Sequence, residues 1–195
     1  MARQIAIIQG HPDPSGKHFG HALAAAYKKG AEDAGHEVNT IEVARLEFPL
    51  LHSKADWEKA DPPESIKKAQ KIVGRANHLV LFYPLWLGTM PAVLKGFLEQ
   101  VLRPDFAISS LEEGLTWKKQ LGGISARVVV TMGMPALVYR WYFHAHSLKS
   151  LEKNILKFCG ISPVKESLIG MVEQEDDSYR SKWLGKMEAL GRDGK

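Results

Sequence analysis

Two short stretches of this chain carry residue types that do chemistry in company. The first is Gly10-His11-Pro12-Asp13-Pro14-Ser15-Gly16-Lys17-His18, between an apolar run and a helix-period segment. A strand-loop-helix turn aims free backbone N–H groups at whatever lies above the helix start, and the helix dipole favours an anion there. Ser15 adds a hydroxyl donor; Lys17 and His18 add positive charge, that of the histidine depending on pH. Taken alone, the loop serves equally well as a helix cap. The second stretch is Leu79 to Leu102, where an apolar strand stops at Pro84 and a loop with Leu85, Trp86, Leu87 and Gly88 leads past Pro91 into an amphipathic helix. An apolar loop at the C-terminal end of a buried strand is where open α/β sheets place ligands, and this one has the look of a platform for a flat ring system. On burial statistics alone, Leu85 and Trp86 serve as well in a core or an interface.

Other chemistries lack their residues. The first loop matches neither G-x-x-x-x-G-K-[ST] nor G-x-G-x-x-G. No Ser-His-Asp order, H-E-x-x-H or paired-cysteine spacing is present, and no metal site is expected. His144 and His146, two apart, read as lying on different faces of one helix and so do not share a metal. His21, His36, His52 and His78 read as surface or helix-end residues. The lone Cys159, near a helix C-terminus, reads as a buried structural thiol. Tyr139, Trp141, Tyr142 and Phe143 form an aromatic cluster that suits packing under a helix.

The 195 residues are 45% hydrophobic and 25% charged with a net charge of +4, which suits one soluble domain spanning 1–195. The basic residues are interleaved with acids and no nucleic-acid motif accompanies them. No apolar run reaches the ~20 residues of a membrane span, and the N-terminus lacks a secretory pattern, so the expected compartment is the cytoplasm.

The elements alternate. Gln4–Gln9 reads as a strand, 17–34 as a helix with Gly35 after it, and 37–43 as a second strand. An irregular connection over 44–63 precedes a helix from Glu64 to Asn77. A third strand over 78–83, a helix over 91–102 and a long excursion over 103–124, with a turn at Glu112-Glu113-Gly114, come next. A fourth strand over 126–131, a helix from about Trp141 to Phe158, a fifth strand over 168–172 and a helix over 178–190 complete the chain. Such alternation predicts a parallel sheet with helices on both faces.

In order and spacing the chain resembles the flavodoxin-like NAD(P)H:quinone oxidoreductase (DT-diaphorase) family. The resemblance rests on Gly10-His11-Pro12 with Ser15 and Phe19, on Phe82-Tyr83-Pro84-Leu85-Trp86 followed by Met90-Pro91-Ala92-Val93-Leu94-Lys95-Gly96-Phe97, and on Val129-Val130-Thr131-Met132-Gly133 with Tyr139 six residues later. It implies a three-layer α/β/α sandwich whose five-stranded parallel sheet has the order 2-1-3-4-5. It also implies a bound flavin and a homodimer. By that resemblance His11, Ser15, Lys17, His18 and Phe19 lie near the flavin phosphate, and Pro84, Leu85, Trp86 and Leu87 bed the ring. Thr131, Met132, Gly133, Met134 and Tyr139 line its far end. Tyr139 with His144 or His146 serves catalysis. The expected reaction passes reducing equivalents from NAD(P)H through the flavin to a quinone or similar small acceptor by a ping-pong scheme. The short link between the second and third strands favours FMN over FAD, and Lys17, Arg103 or Arg140 could meet a 2′-phosphate of NADPH. The chain departs from the family at His18 and Gly20, where serine and asparagine are usual, by one extra residue in the first loop, at Met132 and Met134, and at Ala145, where the family carries its catalytic histidine. The alternatives are a flavin-binding ancillary subunit of a potassium-efflux transporter and a flavodoxin-like electron carrier.

Overall fold

The computed structural model describes residues 2–110, 117–174 and 176–195; the turn expected at Glu112, Glu113 and Gly114 lies outside them. In chain order the elements are β1 (Gln4–Gln9), α1 (Phe19–Asp33), β2 (Glu37–Glu42), α2 (Lys54–Glu58), α3 (Glu64–Arg75), β3 (His78–Pro84), α4 (Ala92–Val101), β4 (Ile108–Ser110) and β5 (Trp117–Lys119). Then come β6 (Ser125–Thr131), α5 (Ala136–Trp141), α6 (His146–Ser150), α7 (Lys157–Cys159), β7 (Val164–Ile169) and α8 (Asp177–Arg192). Five parallel strands form one sheet in the order β2-β1-β3-β6-β7, the expected 2-1-3-4-5 of the main strands. β4 and β5 make a separate antiparallel pair.

The central strands read as continuous apolar runs because both of their faces are covered. Ile5, Ile7, Val80, Phe82 and Val129 meet Leu23 and Tyr27 of α1 and Met187 of α8 on one face. Ala6, Ile8, Leu79, Leu81, Val128 and Val130 meet Ile66 and Val73 of α3 and Leu94 and Phe97 of α4 on the other. α1 and α8 touch backbone to backbone. A Cβ on Gly30 would lie 2.0 Å from the Glu188 carbonyl oxygen, and one on Gly191 would lie 2.0 Å from that of Tyr27. The chain leaves β1 for α1 on one face and β3 for α4 on the other, so the loops after these neighbouring strands part and open a crevice at their C-terminal ends.

Four elements differ from the sequence expectation. The first helix starts at Phe19 because His18 is extended, with φ −94° and ψ 153°. The connection after β2 holds a 3-10 turn at Val43–Arg45 and the short α2, whose Ser53 side chain accepts from the Asp56 N–H. The helix expected from Trp141 to Phe158 begins earlier, at Ala136, and is broken where His144 and Ala145 take φ values of +51° and +48°. It resumes as α6 and runs through a π-helical stretch, Leu151–Leu156, into α7. The last strand lies upstream of the apolar run 168–172, at Val164–Ile169. It is a sheet edge whose Lys165 and Glu166 face solvent, so its sequence lacks the apolar signal; Met171 leaves the strand with φ +57°. No helix among the described residues is long and apolar enough to cross a membrane.

Candidate functional site

The loop after β1 is held from within. The Gln9 side-chain amide, 4% exposed, donates to the Gly20 carbonyl (3.1 Å) and accepts from the His11 N–H (3.1 Å), pinning strand end, loop and helix start together. The Asp13 carboxylate accepts from the Ser15 N–H (2.8 Å) and the Ser15 hydroxyl (2.9 Å) and lies 2.7 Å from His18 Nε2. Those bonds, the Ser15 N–H foremost, hold it well below the usual carboxylate range. His18 is the N-cap residue of α1 and its side chain does not cap the helix; the His21 N–H bonds the His18 carbonyl (2.9 Å), and the Phe19 and Gly20 N–H groups have no protein partner among the described residues.

Above that helix start three imidazoles gather. The His11 and His18 rings stack at 3.9 Å with 19° between planes, His21 stands 5.1 Å from His11, and Trp86 meets His11 edge-on at 5.9 Å. His11 is 7% exposed, and burial, aided by the neighbouring His18 and His21, pushes its imidazole down to about 4. Its Nδ1 accepts from the Asp13 N–H (3.1 Å). The neutral ring therefore carries its proton on Nε2, which opens to the cleft without a protein partner among the described residues. Burial and His18 lower the His21 imidazole as well, and its Nδ1 is buried without a partner.

The crevice forms a cleft of about 770 Å³. His11, Lys17, His18 and Phe19 form one wall, Pro84 and Trp86 of the second loop and Thr131 at the end of β6 form the floor, and Val172, Glu173 and Arg180 close the far side. The second loop is a two-residue turn: the Trp86 N–H donates to Thr89 O (2.8 Å) and the Thr89 N–H to Trp86 O (3.0 Å). Leu87 and Gly88 at its tip have φ of +47° and +77°, an arrangement that favours Asn-Gly. Leucine there is fully exposed and Trp86 half-exposed. A second cleft, of about 720 Å³, opens on the other side of Trp86, lined by Leu87, Met90, Lys95, His146 and Ser147 among others.

Of the residues singled out from the sequence, the first cleft brings together His11, Lys17, His18, Phe19, Pro84, Trp86 and Thr131. Leu87 and His146 line the second cleft with Trp86. Several expectations require correction. The Ser15 hydroxyl proton is committed to Asp13, and the Trp86 N–H closes its own turn. Leu85 packs, half-buried, on the core. Met132 is 3% exposed, part of the core beneath the site, and Met134 packs against that core while Gly133 is exposed. Tyr139 is 2% exposed; its hydroxyl pairs with Ser147 Oγ (2.7 Å) and accepts from the Leu148 N–H (3.2 Å), joining α5 to α6 across the break. It lines neither cleft. His144 and His146 are not on opposite faces of one helix: the break brings their rings within 5.5 Å. Arg103 is buried, its guanidinium spent on the Ala60 and Asp56 carbonyls, and Arg140 pairs with Glu166, so neither faces the first cleft, whereas Lys17 does.

The sequence reading missed His21, Glu173 and Arg180. His18 and His21 at i,i+3 share one face of α1, a spacing visible in the sequence. Glu173 and Arg180 reach the site only because the β7–α8 turn folds over the sheet end. His78, taken for a surface residue, is 3% exposed and bonds Ser125 Oγ at 2.8 Å. Cys159 is buried, which pushes its thiol up to about 11. Among the described residues no group of three or more His, Cys, Asp or Glu side chains is placed to hold a metal ion.

A five-stranded 2-1-3-4-5 sheet with a ligand-sized cleft at the C-terminal ends of its central strands defines a flavodoxin-like α/β protein. The chain belongs to the family described by a flavodoxin-like fold, whose pattern matches residues 3–190. A Haemophilus influenzae protein named as an NAD(P)H oxidoreductase is 29% identical over 181 residues, 89% of this chain and 87% of that one. The solved NAD(P)H:quinone oxidoreductase of Methanothermobacter marburgensis is 25% identical, each chain covering 100% of the other, with a TM-score of 0.82. An FMN-dependent NADH-azoreductase of Bacillus anthracis, solved with FMN, shares the fold at 17% identity and a TM-score of 0.74, each chain covered to 98%. These relatives set the chain among oxidoreductase enzymes of the flavodoxin-like family.

Proposed function

We propose that this protein is a flavin-dependent NAD(P)H oxidoreductase acting on quinones or similar flat acceptors, with FMN as its cofactor. The observation that carries the reading is the Nε2–H of the buried His11, a donor that opens into the cleft without a protein partner among the described residues, beside the α1 N-terminus and opposite Trp86. A donor left free by the protein at the wall of a cleft is available to a ligand, and a phosphate at a helix N-terminus meets it. The residues present fit the group: a phosphate among His11, His18, Lys17 and the first N–H groups of α1, and a flat ring against Pro84, Trp86 and Thr131.

Such a cofactor supplies two-electron chemistry, taken from a nicotinamide and returned to an acceptor. The chain's own residues do the rest. The helix start and the histidines bind and orient. The exposed Gly133 region and the Leu87 N–H would supply donors to a bound ring as it gains negative charge. Trp86 and Leu87 exclude water and give the nicotinamide and the acceptor, in turn, a flat surface; one surface used twice gives ping-pong kinetics. His146, on the second cleft, is placed to hydrogen-bond an acceptor there, with His144 next to it. Tyr139 positions this segment through Ser147 and Leu148. A second copy of the chain, covering the exposed Leu137, Val138, Trp141, Tyr142 and Phe143 of the α5 region, completes the walls.

The test is reconstitution with FMN and with FAD, followed by gel filtration and a quinone-reduction assay. The reading expects a stoichiometric yellow protein with FMN, and NAD(P)H oxidation that depends on added quinone. Folded protein that retains neither flavin would overturn it.

A further inference from the structure

His11, His18 and His21 come from two elements, the β1 strand end and α1, and meet within 3.9 to 5.8 Å of one another by ring centroids. The charged groups facing them are few. Asp13 on the loop takes His18 Nε2. Lys17 stands beside the cleft, with Glu173 and Arg180 across it. Lys28, Glu42 and Arg45 stand on the far side of His21, and Arg45 is paired with Glu42 and bonded to the Pro14 carbonyl at 2.9 Å. Without an anion beside them, two stacked imidazoles cannot both be cationic without strong repulsion, and burial favours the neutral form of His11 and of the half-buried His21. A phosphate dianion among them reverses that balance. It places two negative charges beside the stacked His11 and His18, which line the cleft, while His21, with its buried Nδ1 unpartnered, stands behind His11.

We propose that this histidine cluster makes the phosphate subsite proton-coupled: a phosphate monoester dianion binds together with a proton taken up by the cluster, so that a phosphorylated flavin binds more tightly as pH falls and the unphosphorylated ring does not. The inference rests on the flavin reading above. It goes further in making His21, behind His11, part of the proton-binding cluster and in making cofactor retention depend on pH. Nothing is transferred except the proton, which comes from solvent and resides on an imidazole nitrogen of the cluster.

The experiment is calorimetric titration of the full-length apoprotein with FMN and with riboflavin, at pH 7 in two phosphate-free buffers of different ionisation enthalpy, and then over pH 6.5 to 8. That range lies above the second phosphate pKa of about 6, so the ligand itself stays mainly dianionic. FMN is expected to take up between about half and one proton, its Kd falling about three- to tenfold per pH unit as pH is lowered, with no such effect for riboflavin. His18→Asn and His21→Asn are expected to reduce the uptake. Imidazole NMR of the unmodified protein, which needs no variant, is expected to show His11 titrating at higher pH with FMN bound than without. FMN binding with equal heats in both buffers and riboflavin's pH dependence would overturn the proposal and leave the flavin reading standing. Failure of both ligands to bind would overturn both.

Discussion

Leu87 occupies the left-handed region at the tip of a two-residue turn with its side chain wholly in water, a combination disfavoured twice, by backbone strain and by exposure. Strain of this kind persists where the site uses it, and here it holds an apolar side chain at the edge of the second cleft. Leu87→Asn, which suits the turn, is expected to raise stability by about 1 kcal/mol in urea denaturation while raising KM for quinone several-fold. A loss of stability would show that the turn is not strained. Tyr139→Phe separates positioning from catalysis. It leaves the buried Leu148 N–H unpaired, a cost of about 1–3 kcal/mol, so Tm is expected to fall while the pH profile of kcat keeps its shape. The residues with local chemical signals, His11 and Trp86, were legible in the sequence. Ser15, Met132 and Tyr139 were not, because where a side chain spends its hydrogen bonds depends on neighbours that only the folded chain supplies.

At the scale of elements, the central strands and the helices α1, α3 and α4 follow from apolar periodicity, which burial on both faces of the sheet enforces. The break between α5 and α6 left no such mark: Tyr142, Phe143 and His144 are exposed, and it is the Tyr139 hydroxyl bridge that fixes the turn. β7 escaped notice for the opposite reason, being a half-exposed edge among polar residues. The α1–α8 contact gives a prediction independent of function. Gly30→Ala puts a methyl group into the Glu188 carbonyl and must push the helices apart, at a cost of about 1–3 kcal/mol, read from the urea midpoint. An unchanged midpoint would mean that the helices slide freely there.

For the molecule as a whole, pH acts through buried imidazoles. Burial, with Arg3, Arg127 and Lys165 nearby, lowers His78 to about 4. The unfolded chain binds that proton first, near the ordinary value of 6.5, so stability is fully present above that value and is lost as pH falls from about 6.5 towards 4. His11 adds to the loss in the apoprotein, and bound FMN is expected to shift its share. Urea midpoints at pH 7, 6 and 5 are expected to decline, less steeply in His78→Asn. The exposed apolar side chains of the α5 region predict a dimer by light scattering, with Trp141→Ser shifting the population towards monomer. The central claim, that the two loops hold a flavin which nicotinamide reduces, is tested most directly by mixing FMN-loaded protein with NADH or NADPH without oxygen and following the visible flavin band. The account predicts prompt bleaching with at least one of them and recovery of colour when a quinone is added. A tightly bound flavin whose colour neither nicotinamide changes would contradict it.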